Sequence, residues 1–164
     1  MKRSTNPRRR RRVAAYAGLR KPVLHQLFRA LADPTRLRLL NLVGGREVCV
    51  CYLVEILGLN QPKISRHLAY LRRAGLVEVR REGKWMHYRL ALPKDRVAAQ
   101  ILLGTLEAMQ KDPRMRYDLA HLSAACCSPE KYEVPRGAPM PEELLRPEDA
   151  PVFPSPNETM ASDL

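Results

Sequence analysis

Leu24, Leu27, Phe28 and Leu31 fall at i, i+3, i+4 and i+7, the spacing that lays one apolar stripe along a helix. Asp33-Pro34 then restarts the chain, with Asp33 as N-cap and Pro34 in the first turn, where its missing N–H costs nothing. A second helix runs through Leu37, Leu40 and Val43 and ends at Gly44-Gly45. Val50, Leu53, Val54 and Leu57 repeat the stripe over a short third helix that Gly58 stops. Asn60 or Gln61 caps a fourth, QPKISRHLAYLRRAG, apolar at Ile64, Leu68 and Leu71 and basic at Lys63, Arg66, Arg72 and Arg73.

After Gly75 the period drops from 3.6 to 2. Val77 and Val79 alternate with Glu78 and Arg80, Glu82-Gly83 turns the chain, and Met86, Tyr88 and Leu90 alternate on the return, which predicts a two-stranded hairpin. Helical spacing resumes over residues 94–110 through Ala98, Ile101, Leu102, Leu106 and Met109. A further short helix covers roughly residues 114–125. An apolar stripe that follows a completed small core needs a partner surface, and a second copy of the same helix is the simplest one. The expected architecture is mainly α with a small β-hairpin, a winged helix-turn-helix, paired as a homodimer.

That order of elements carries a specific chemistry. A short helix, a Gly-containing turn and a second helix with a polar, basic face can enter the major groove, where a helix N-terminus brings side chains to the base edges. Gln61, Lys63, Ser65 and Arg66 occupy the first turns of that helix, and periodicity exposes them. Arg80, Arg81 and Lys84, expected together at the hairpin tip, suit phosphates or an adjacent minor groove. A basic helix face alone is most often a solvated surface; the turn before it and the hairpin behind it favour DNA. His67, between the two faces, reads as a buried, hydrogen-bonded histidine in preference to a metal ligand.

Charge agrees with this reading. The 164 residues carry a net charge of +12, distributed as a gradient: residues 1–22 hold nine Lys/Arg and no acid, whereas residues 93–164 hold eight against twelve acids. Residues 1–22, with five consecutive arginines, are expected to be a disordered basic arm, either a phosphate-binding element or a solvated tail. Residues 23–127 make the DNA-binding and dimerisation domain. Residues 128–164 hold eight of the fourteen prolines and many acids, the composition of a disordered tail. No window approaches about 18 consecutive apolar residues and no signal-peptide core is present, so a cytoplasmic protein without a membrane partner is expected. An enzyme is disfavoured, since the chain has no Gly-rich nucleotide loop, no Cys-x-x-Cys and no His paired with Ser or Cys in a plausible triad.

Four cysteines remain: Cys49, Cys51, Cys126 and Cys127. In a reducing compartment they are packing residues, reactive thiols or metal ligands. On a regular helix, side chains at i and i+2 diverge by about 200°, so Cys49 and Cys51 meet on one ion only if that turn is extended or distorts. Sulfur-only ligation selects soft ions; As(III) or Sb(III) takes three thiolates, and four thiolates suit Zn(II) or Cd(II). Proximal thiols could equally form an oxidant-driven disulfide.

The run EVCVCYLVEILGLNQPKISRHLAYLRRAGLVEVRREGKWMHYRL, residues 47–90, resembles the ArsR/SmtB family of winged-helix metalloregulators, and within it the arsenical-responsive branch, marked by Cys-Val-Cys at the start of the third helix. The likeness extends over roughly residues 23–127. It implies a homodimeric repressor of an arsenic-resistance-type operon that binds operator DNA without any cofactor and is released when As(III) or Sb(III) meets its cysteines. Cd or Zn, or oxidants, are the alternative signals. By the same resemblance the helix from Gln61 reads bases, the hairpin around Gly83 is the wing, and the helix from Lys94 forms the dimer interface. Two positions depart from the pattern. The usual third cysteine is Val54, and the usual Asp after Cys-Val-Cys is Tyr52. Cys126 and Cys127 would then complete the metal ligands, from the same subunit or the other. The family's zinc site is incomplete, because Asp95 has no histidine after it until His121. The expected mechanism is that ion binding pulls the start of the third helix out of shape and the recognition helix follows.

Overall fold

The computed structural model describes residues 23–141. The basic arm over residues 1–22 and the tail beyond residue 141 lie outside the described residues. Helix α1 (Val23–Leu31) leads into α2 (Pro34–Val43), a two-residue strand β1 (Val48–Cys49), α3 (Val50–Leu57) and α4 (Gln61–Arg73). Strands β2 (Val77–Glu82) and β3 (Trp85–Leu90) follow, then α5 (Arg96–Met109), α6 (Pro113–Cys127) and a single 3-10 turn (Pro129–Lys131).

The helix starts are made by side chains that take over unpaired backbone N–H groups. Asp33 accepts from Arg36 N at 2.9 Å, Asn60 from Lys63 N at 3.0 Å, Asp95 from Ala98 N at 2.8 Å, and Asp112 from Arg114 N at 2.7 Å. Gly58 ends α3 at φ 62°, a left-handed conformation that a residue with a Cβ resists. The tight turn this allows sets α4 against α3. Ile64, Leu68 and Leu71 of α4 are then fully buried, each contributing about 1.5–3 kcal/mol by leaving water.

The hairpin has company. β1 pairs antiparallel with β3, giving a three-stranded sheet in the order β1-β3-β2 where sequence periodicity shows two strands. Val48 lies opposite Tyr88 and Cys49 opposite His87. This third strand covers His87, which is 4% exposed, while Met86, Tyr88 and Leu90, the alternating apolar positions, are only half-buried. Glu82 pairs with Trp85 across a two-residue loop whose first residue, Gly83, takes φ 57°.

Two features of the C-terminal half go beyond what periodicity shows. On α5, Ala98, Leu102, Leu106 and Met109 are buried within the single chain, against α1 and α2, so that stripe does not itself require a second copy. The exposed apolar residues nearby are Phe28, Leu92 and Val97. Past Cys127 the chain stays in contact with the helices. Val134 is buried and the Tyr132 ring sits 5.3 Å from that of His121, so the first part of the expected tail, residues 128–141, packs on the domain. Tyr132, Val134 and Pro141 supply its covered apolar surface.

Helix α6 is bound to α2 by buried polar contacts. Asp118, 0% exposed, accepts from Arg38 Nε at 2.6 Å and Nη2 at 2.8 Å, and Asn41 Nδ2 donates to Met115 O at 2.9 Å. The paired Asp118 carboxylate holds the Arg38 guanidinium protonated more firmly than usual.

Candidate nucleic-acid interface and thiol pair

α3, the turn at Gly58 and α4 form the helix-turn-helix, and the first turns of α4 stand clear of the rest of the chain. Gln61, Lys63, Ser65 and Arg66 are all exposed, as their spacing requires. Arg66 is steadied by a long hydrogen bond from Nε to Pro62 O, 3.4 Å. His67 is half-buried beside the helix cap, its Nδ1 3.6 Å from Asp33 Oδ1, so it faces the carboxylate that caps α2.

The wing residues divide. Arg81 and Lys84 are exposed at the tip, with Arg81 Nε donating to Gly83 O at 3.0 Å and Lys84 Nζ 4.8 Å above the Trp85 ring. Arg80 is different. Its Nε donates to Glu47 at 2.8 Å and its Nη1 to Glu82 at 2.7 Å, so its charge is directed to two carboxylates and it is not a free tip cation. The register explains this: Arg80 lies opposite His87, away from the turn and beside the residues that lead into β1. The hydrogen bonds from Arg80 also hold Glu47 below the usual carboxylate range.

Cys49 and Cys51 meet without any distortion of α3. Cys49 is the N-cap of that helix and is extended (φ −65°, ψ 142°), held so by its pairing in β1, while Cys51 is in the first turn. The angular divergence of two helical positions therefore does not apply, and the sulfurs are 2.8 Å apart. The Cys51 S–H donates to Cys49 Sγ, which lowers the Cys49 thiol to about 7; the same bond, with burial, pushes Cys51 up. Cys49 is fully buried and Cys51 half-exposed, so an incoming ligand meets Cys51 first.

Cys126 and Cys127 do not join the pair. Cys126 is 3% exposed and burial pushes its thiol up to about 12, whereas Cys127, the last residue of α6, is exposed. Among the described residues no three His, Cys, Asp or Glu side chains gather closely enough to hold an ion. Tyr52, 1% exposed, is raised to about 12 by burial and by the charges of Cys126, Cys51 and Cys49. Asp95 caps α5 and His121 lies between the rings of Tyr117 and Tyr132.

Sequence reasoning did not single out Glu47, His87 or the Arg38–Asp118 pair. His87 was masked by the apolar residues alternating around it. The other contacts join residues far apart in sequence that no periodicity links.

Helices α3 and α4 joined by the tight turn at Gly58, the exposed start of α4 and a wing tipped by Arg81 and Lys84 define a winged helix-turn-helix DNA-binding protein. The sequence profile of bacterial regulatory proteins of the arsR family matches residues 33–79. The Arsenic resistance transcriptional regulator ArsR1 of Pseudomonas putida is 45% identical over 86 residues, 52% of this chain and 67% of that relative. The Arsenical resistance operon repressor of Escherichia coli is 51% identical over 78 residues, 47% of this chain and 67% of that relative. Among solved structures, HlyU from Vibrio cholerae is similar at 29% identity over 54% of this chain and 94% of its own, with a TM-score of 0.48. The chain belongs to the arsR family of bacterial regulatory proteins and is a transcriptional repressor of that type, not an enzyme. No helix among the described residues is long and apolar enough to cross a membrane.

Proposed function

We propose that this repressor acts in the cytoplasm as a homodimer, with α4 in the major groove of its operator, and that trivalent arsenic or antimony taken by Cys49 and Cys51 lowers its hold on DNA. The observation that carries the reading is the contact between the two sulfurs in the chain segment that opens α3, the helix on which α4 packs. Paired thiolates are the donor set that soft trivalent ions prefer. The relatives named for arsenic resistance support the same inducer. Gln61, Ser65 and Arg66 read base edges; Lys63, Arg81 and Lys84 meet phosphates. Cys126 and Cys127 are supplementary donors only if α6 or a second subunit brings them to the pair. For dimerisation, Phe28 on α1 and Val97 on the neighbouring α5 offer exposed apolar surface.

Because Cys49 is the extended N-cap of α3 and its sulfur contacts that of Cys51, release does not depend on bending the first turn of α3. It depends on exchanging the shared proton for a ligand at the junction of sheet and helix. The test uses the full chain and a fluorescent duplex selected from random sequence by the protein itself, followed by anisotropy with arsenite, antimonite, Cd(II), Zn(II) and peroxide. Arsenite or antimonite should release the duplex from the wild type, and Cys49→Ser or Cys51→Ser should keep DNA binding and lose release. Release by Cd(II), Zn(II) or peroxide alone would replace the inducer. Undiminished arsenite release from both variants would remove the pair from sensing. Deleting residues 1–22 should flatten the salt dependence of affinity if the basic arm touches phosphates.

A further inference from the structure

We infer that the cavity between α3 and the segment after α6 is a binding site for a free amino acid with an apolar side chain, its carboxylate held by Arg136 and the Tyr52 hydroxyl and its ammonium by Glu130. The site is separate from the Cys49–Cys51 pair, since neither cysteine lines it, and it is independent of the proposed arsenic response.

The outer wall is built by the chain past Cys127. Lys131 N donates to Ser128 O at 3.0 Å across the 3-10 turn, and Ala138 N donates to Pro135 O at 3.0 Å across a second turn that holds Gly137 at φ 78°. Tyr132 against the His121 ring, the buried Val134 and the buried Pro141 tie these turns down. The space they leave against α3 is about 360 Å³, inside the range of small-molecule sites, about 300–1,000 Å³.

The polar groups of the cavity define its ligand. Tyr52 lines it from α3 and is 1% exposed, and its hydroxyl bonds to no described residue. Burial keeps that phenol protonated, so it stands as a donor. A buried hydroxyl without a partner is costly, and the cavity is where an acceptor can enter. Arg136 and Glu130 line the same cavity, and neither forms an ion pair with a described residue, the other included. Guanidinium and phenol donate to a carboxylate, and a carboxylate accepts from an ammonium. An anion alone would face Glu130 across the space, and a cation alone would face Arg136. A zwitterion answers both. The rest of the lining, with Tyr132, Val134, Pro135, Ala138 and Met140, offers apolar surface to its side chain.

The test uses the full-length protein, without DNA or arsenic and with its methionine methyl groups isotopically labelled, titrated with L-phenylalanine, L-leucine and L-methionine. At least one of these should bind once per chain by calorimetry and move the NMR signal of Met140, assigned through Met140→Leu, while those of Met86, Met109 and Met115 stay in place. The tightest binder, stripped of its ammonium or of its carboxylate, should bind at least about tenfold more weakly. For L-phenylalanine these analogues are hydrocinnamate and phenethylamine. Arg136→Gln, Glu130→Gln and Tyr52→Phe should each weaken binding about tenfold. The first two alter exposed side chains, so their melting temperatures should match the wild type. Absence of binding by all three amino acids would overturn the inference, as would binding that leaves Met140 unmoved. Wild-type affinity in both Arg136→Gln and Glu130→Gln, or a singly charged analogue as tight as its parent, would do the same. None of these results bears on arsenic release, which Cys49→Ser and Cys51→Ser test separately.

Discussion

Asp118→Ala removes the carboxylate that binds α6 to α2. In the native chain Asp118 is wholly buried and accepts two N–H bonds from Arg38, whose side chain keeps 16% of its exposure. Breaking a buried pair by deleting one partner costs about 3–5 kcal/mol, because the remaining charge is left without compensation. Arg38 retains some solvent, which places this case near about 3 kcal/mol, or roughly two decades in the folding equilibrium. At about 4 °C per kcal/mol for a domain of this size, the melting temperature should fall by about 12 °C. Circular dichroism at 222 nm in urea and on heating measures both. The double variant Arg38→Met/Asp118→Leu, which replaces the ions by apolar groups, should recover most of the loss. A loss below about 1 kcal/mol in Asp118→Ala would class the contact with exposed ion pairs and refute the claim that it fixes α6 in place.

Arg66→Ala should weaken the selected duplex by about 1–3 kcal/mol and relax base preference at one position, measured by competition with single-base variants. Lys84→Ala should instead weaken all duplexes alike and reduce the slope of log affinity against log salt by about 1. The Cys49 thiolate, followed by its ultraviolet absorbance, should appear with a midpoint near 7. Below that pH both thiols are protonated, and above it they share one proton. Cys51→Ala removes the donor, so the midpoint should move up toward the usual thiol value. Asn60→Ala removes the α4 cap and should cost about 1 kcal/mol in urea unfolding, without altering the fold.

The elements that sequence reveals are those whose signals are local. Asp33 and Asn60 cap the helices they precede, Gly58 breaks α3 where the stripe ends, and the change to period 2 after Gly75 marks the wing. The exposed residues at the start of α4 follow from the same periodicity. What sequence conceals depends on distant partners. The stripe Val50, Leu53, Val54 and Leu57 says that a helix exists, not that Cys49 is its extended cap; that is decided by His87, on a strand formed almost forty residues later. Arg38 and Asp118 are 80 residues apart, and each alone resembles an ordinary surface charge. Arg80 looks like a wing-tip cation until register places it beside Glu47. The α5 stripe invites an external partner because nothing in its own spacing shows that α1 and α2 have already covered it.

The short strand β1 makes Cys49 a member of two structures at once, the last residue of a rung shared with the returning strand of the wing and the first residue before α3. Under the proposed sensing, a ligand on that sulfur would act on the wing and on α3 from their common root, through main-chain groups that every amino acid possesses. Side-chain replacement can retune which ligand is accepted, but it cannot easily sever this wiring. On the proposed reading, a single position then governs the recognition helix and the wing together.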